Sequence, residues 1–96
     1  MEKIPYDQLI DTLAAARIKV TPGTHWRHYK GNEYLVKDIV LIEATNEVAV
    51  LYASLEQPAV AFVRPFTSWH EQVDIGGRLI SRFSKATETT AGVPIA

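Results

Sequence analysis

Cysteine is absent from the 96 residues. That removes disulfide staples, cysteine nucleophiles, thiolate zinc sites and thiol-bound iron–sulfur clusters, so the fold must hold by packing alone. Apolar runs such as Ile39 to Ile42 are far too short to span a bilayer. The N-terminal stretch carries Asp and Glu instead of a basic segment ahead of an apolar one, and the expectation is a cytoplasmic protein without a membrane partner. Glycines cluster only at Gly76-Gly77, so no Walker or dinucleotide fingerprint can be drawn. None of the serines, Ser54, Ser68, Ser81 and Ser84, sits in a Gly-x-Ser-x-Gly elbow. Lys and Arg are missing from Ile39 to Val60.

What is present fits one soluble domain. A chain of this length buries about two thirds of its unfolded surface. Its 47% apolar and 22% charged residues and net charge of -1 are ordinary for a globular protein. Charge is unevenly spread, with +2 over residues 61–85 and -3 over residues 39–60. A nucleic-acid protein would usually be more basic overall.

Tyr6, Leu9, Ile10, Leu13, Ala14 and Arg17 recur at helical spacing, which predicts an amphipathic helix from Pro5 to Arg17, ended by Pro22 and Gly23. Its apolar face is expected to pack across the end of its own domain, or else to dock a partner or a second copy. From Thr24 the period becomes two, and strands are expected over Trp26–Tyr29, Glu33–Glu43, Glu47–Ser54, Ala59–Arg64, His70–Ile75 and Arg78–Phe83. Turns fall at Lys30-Gly31-Asn32, Thr45-Asn46 and Gly76-Gly77, a break at Gln57-Pro58, and one helical turn over Phe66–Trp69. The expected fold is mainly β, a small SH3-like barrel of five or six short antiparallel strands with one N-terminal α-helix. Residues 1–22 would form the helix and linker, 23–84 the barrel, and 85–96 a disordered tail.

The densest chemistry lies between Gly23 and Tyr34. Gly23, Trp26, the run Arg27-His28-Tyr29-Lys30-Gly31 and Tyr34 are followed by Arg64-Pro65-Phe66 and by a close of Trp69, Gln72-Val73 and Arg82-Phe83. In this order they resemble an uncharacterised bacterial and phage family, the domain of unknown function 1653, over about residues 23–84. Trp26 stands where that family usually has tyrosine, and Phe62-Val63 where it has tryptophan-valine. The resemblance implies a small all-β, SH3-like module and brings no biochemical activity with it.

On a strand, Trp26 and His28 face one way and Arg27 and Tyr29 the other, so some of these rings are core. The functional expectation is that His28, Lys30 and Arg64 converge beside Trp26 or Tyr52 and hold an anionic group against an aromatic surface. Trp26, Arg27, His28, Lys30, Tyr52 and Arg64 are therefore the candidate ligand-binding residues of a non-enzymatic binding module. Its partner would be a small anionic ligand such as a nucleotide, a nucleic acid or a protein, and a phage protein sequestering a signalling nucleotide is one version. The alternatives are an enzyme acting on a nucleotide-like metabolite with His28 as general base, and a structural homo-oligomerisation domain. No cofactor is expected. No metal is expected either, because His25 and His28 fall on opposite faces of a strand, and a site from His28, His70 and Glu71 would require tertiary convergence. Ser68-Trp69-His70-Glu71 contains the residue types of a hydrolytic triad, but neighbours in sequence rarely reach its geometry.

Overall fold

In the computed structural model, which describes residues 3–86, the helical pattern becomes α1, Tyr6–Lys19. Pro5 stands at its N-cap, with its carbonyl accepting from the Gln8 and Leu9 amides. The buried stripe differs from the expected one. Ala16 and Val20 enter the core, Leu9 and Leu13 are half-buried, and Tyr6 and Ile10 remain 80% and 62% exposed. The helix runs two residues further than its periodicity predicts, and Arg17 fixes its rotation. The Arg17 guanidinium donates to Asp38 Oδ1 at 3.1 Å and to the Ile39 carbonyl at 3.0 Å, which turns the Leu9–Leu13–Ala16–Val20 stripe inward.

The seven strands are β1 (His25–His28), β2 (Glu33–Ile42), β3 (Glu47–Ser54), β4 (Gln57–Pro65), β5 (Gln72–Ile75), β6 (Arg78–Ser81) and β7 (Phe83–Lys85), with the helical turn α2 (Phe66–Trp69) after β4. β7 thus includes Lys85, and residues 87–96 of the expected tail lie outside the described residues. Five strands form an antiparallel sheet in the order β4-β3-β2-β1-β7, and β5 pairs with β6 as a separate ribbon. The Gly76-Gly77 turn joins that ribbon with φ of 59° and 85°, which is the tight hairpin geometry glycine favours.

Two features of the ladder depart from simple alternation. A bulge at Lys37 shifts the β2 register, so that Val36 pairs with Tyr52 and Ile39 with Val50. Both therefore point into the core and both are fully buried; an extra residue in one strand has this effect. β4 begins at Gln57 after a turn at Leu55-Glu56, but its register against β3 jumps from Ala61, opposite Ala53, to Gln57, opposite Ser54, so residues 58–60 bulge out of the ladder beside the expected break. Pro58 is tolerated because β4 is an edge strand and has a neighbour on only one side.

The sheet is open, since β4 and β7 are its edges and share no ladder. It is nevertheless curled. Four strand spacings in a flat sheet would hold the edges about 19 Å apart, yet the Arg64 guanidinium of β4 lies 5.7 Å from the Phe83 ring centroid of β7. Trp69 of α2 fills the concave side, 1% exposed, in one cluster with Trp26, Val36, Ile39, Val50, Tyr52 and Phe83.

Candidate functional site

Phe83 organises the chemistry of the concave side. Its ring is stacked on Trp69 at 3.8 Å with planes 2° apart. It meets His28 edge-on at 5.1 Å and Tyr34 at 5.9 Å, and Arg64 lies over it. These residues come from five separate elements and meet because the sheet curls. Arg64 is held in place by donating from Nη1 to the Ser68 hydroxyl at 2.8 Å. Among the described residues neither Arg64 nor Lys30 has a carboxylate within ion-pair distance.

His28 is the electrostatic reporter of this group. Burial is the largest influence pushing its pKa below the usual 6.5, followed by the positive charges of Arg82, Lys30 and Arg64. Its Nδ1 accepts the Lys30 backbone N–H at 3.2 Å, which leaves the ring proton on Nε2. With that tautomer Nε2 is a hydrogen-bond donor, and the charges of Arg82, Lys30 and Arg64 act on the ring. That set can hold an anion.

Of the residues singled out in the sequence, His28, Lys30 and Arg64 are brought into one electrostatic neighbourhood. Trp26 and Tyr52, expected to bind ligand, are core residues, 9% and 7% exposed, and both stand edge-on to Trp69. Trp26 donates from Nε1 to the Thr24 hydroxyl at 2.9 Å. Arg27 is not part of the group, because strand alternation turns it to the opposite face, where it pairs with Glu33 at 2.6 Å. Arg82 was missed. It neighbours Phe83 in sequence and pairs with Glu71 at 3.2 Å, and the signal that could have found it was the +2 charge of residues 61–85.

The triad-like string disperses: Ser68 is bound to Arg64, His70 Nδ1 lies 3.0 Å from the Phe66 carbonyl, and Glu71 is paired with Arg82. Among the described residues no three His, Asp or Glu side chains form a metal-binding group, and no helix is long and apolar enough to cross a membrane. Trp69 Nε1 and Arg82 Nε are buried without a hydrogen-bond partner. The Trp69 ring stands edge-on to Tyr52 and Trp26, with centroids 5.0 and 5.6 Å away, an arrangement in which an indole N–H can be directed at a π face.

The family model described as "Protein of unknown function (DUF1653)" matches residues 24–85, the span from β1 to β7. The chain belongs to this family. It is also similar to the crystal structure of a DUF1653 protein from Bordetella bronchiseptica, at 32% identity and a TM-score of 0.59, over 69% of this chain and 87% of that one. No curated protein matches. The family match leaves out α1 and takes in every residue of the His28, Lys30, Arg64 and Arg82 group.

Proposed function

We propose that this DUF1653 chain is a non-enzymatic binding module in which the group of His28, Lys30, Arg64 and Arg82 takes a small anionic ligand of the nucleotide class. The observation that carries the reading is that His28 and Arg64 both lie against the Phe83 ring, 5.1 and 5.7 Å from its centroid, with the charges of Arg82 and Lys30 also acting on the imidazole and only Arg82 offset by a carboxylate. Unbalanced cations held near each other are unfavourable in the free protein, and an anion relieves that repulsion. Arg64 supplies a planar donor fork, Lys30 a point charge, and His28 Nε2 a further donor. The half-buried rings of His28 and Tyr34 and the exposed ring of Phe62 offer apolar faces for a base.

Binding without turnover is supported by the engagement of His28 Nδ1 and of the Ser68 hydroxyl. Sequestration of a signalling nucleotide in the cytoplasm is the narrower form of the same reading. A nucleic acid fits less well with a net charge of -1. We further assign the curled sheet to the SH3-like barrel class, a reading supported by the approach of Arg64 to Phe83 between its edges.

A thermal-shift screen against nucleotides, cyclic dinucleotides, short oligonucleotides and anionic metabolites, at low and physiological salt, tests the proposal. A ligand at a hundred times its Kd stabilises by about 2.7 kcal/mol, a shift of more than about 10 °C in a domain of this size. The expected hit weakens with salt and is lost in Arg64→Gln, whose unliganded Tm stays close to wild type. A panel that shifts neither protein would overturn it.

A further inference from the structure

Arg64 and Ser68 meet because Pro65 both ends β4 and caps α2, so that one helical turn brings the serine back beside the arginine. Their contact uses only one corner of the guanidinium. Nη1 donates to Ser68 Oγ at 2.8 Å, while Nε and Nη2 have no partner among the described residues and neither is buried. Those two nitrogens form an edge that can grip two oxygens of one group at once. Arg82 is different at the same edge, since its Nη2 is paired with Glu71 and its Nε is buried. Ser68 Oγ, in accepting from Nη1, keeps its own proton to donate, and no acceptor for that proton occurs among the described residues.

Charge narrows the group that this arrangement suits. Among the described residues Lys30 and Arg64 have no carboxylate within ion-pair distance, whereas Arg82 is offset by Glu71, so two positive charges stand unbalanced. A phosphomonoester brings about −1.5 to −2 near neutral pH on three acceptor oxygens. A phosphodiester or a carboxylate brings a single charge on two.

We propose, resting on the anion-site reading above, that Arg64 and Ser68 seat a terminal phosphoryl group, a phosphomonoester in preference to a phosphodiester or a carboxylate, with Arg64 Nε and Nη2 and the Ser68 O–H as its donors. Lys30 supplies the second charge. His28 Nε2 is a further donor nearby, because His28 and Arg64 lie against the same Phe83 ring. A diester would leave one of the two cations unbalanced. The class favoured is therefore the free phosphoryl end of a mononucleotide, over the backbone of an oligonucleotide or a cyclic dinucleotide.

Methyl phosphate and dimethyl phosphate test this, since they differ in ester count and carry no base whose fit could mask the result. Each is titrated by NMR at low salt and about pH 7.5, where the monoester is largely dianionic. The wild type is expected to bind methyl phosphate at least about fivefold more tightly, the effect of one further charge at about 4 Å even at the dielectric of water. Ser68→Ala should weaken methyl phosphate about tenfold through the lost bond to a charged group, with thermal unfolding still cooperative. Ser68→Thr keeps the hydroxyl and should stay close to wild type. Arg64→Lys keeps the charge without the edge, and should lose about as much as Ser68→Ala. Dimethyl phosphate bound as tightly as methyl phosphate, or Ser68→Ala binding like wild type, would overturn this inference and leave an anion site standing. So would a response to inorganic pyrophosphate with none to methyl phosphate. Silence from all three probes would overturn the anion-site reading as well.

Discussion

Replacing Trp69 by alanine removes the side chain on which the concave side is built. The residue is 1% exposed, stacked on Phe83 at 3.8 Å and edge-on to Tyr52 and Trp26. It therefore ties α2 to β7, β3 and β1 at once. Truncating a fully buried aromatic costs about 3–5 kcal/mol in lost transfer energy and cavity. A single domain has about 5–15 kcal/mol in all, so the variant is expected to fold with much of its margin gone. With a urea dependence of about 2 kcal/mol per molar, its midpoint should fall by roughly 2 M. Trp26 remains as the single fluorescent tryptophan for following the transition. Phe62→Ala is the control, because a ring 48% exposed on the edge strand should cost under about 1 kcal/mol. If Trp69→Ala cost no more than Phe62→Ala, the role given to α2 in closing the concave side would be wrong.

Stability should depend on pH through His28. Its pKa is lower in the folded protein than the ordinary 6.5, so below that pH the unfolded chain binds more protons. The contribution is therefore complete above about pH 6.5 and is lost as pH falls through the folded value. Tm measured in steps across this window should decline less in His28→Gln than in wild type, and equal declines would refute the assignment. Arg17→Ala loses the Asp38 ion pair and the Ile39 carbonyl bond. At a partly exposed position this should cost about 1 kcal/mol by urea unfolding. Gly77→Ala meets no neighbouring atom but retains φ of +85°. Its expected cost of about 1 kcal/mol is purely conformational, and a stabilised variant would contradict the observed turn.

Most strands were legible because alternation and turn chemistry are local. Asn46 at φ of 60° and Gly31 at 109° occupy the expected turns, and Pro65 closes β4 immediately before α2. What escaped depended on distant partners. Nothing around Lys37 announces a bulge, since it is required only by the fit of Val36 and Ile39 against β3. The rotation of α1 is set by Asp38, 21 positions away from Arg17, and not by helical period. Pro58 marks a break in the sequence, and the ladder is indeed interrupted over residues 58–60 although β4 continues on either side. In the candidate site, the meeting of His28 with Arg64 was readable only as an expectation, because it needs the curl of the sheet. Trp26 and Tyr52 were legible as aromatic but not as core, since their burial depends on where α2 folds. Arg82 was hidden by its position at the join between the β5–β6 ribbon and β7.

The ring signal of His28, assigned by comparison with His28→Gln and titrated by NMR, tests the anion site most directly, using inorganic pyrophosphate and adenosine triphosphate as probes. The account predicts a pKa below 6.5 in the free protein. It should rise on adding either probe, because the anion screens Arg82, Lys30 and Arg64 and favours the imidazolium, and the rise should be smaller in Arg64→Gln. A titration curve unchanged by both probes at saturating concentration would contradict it.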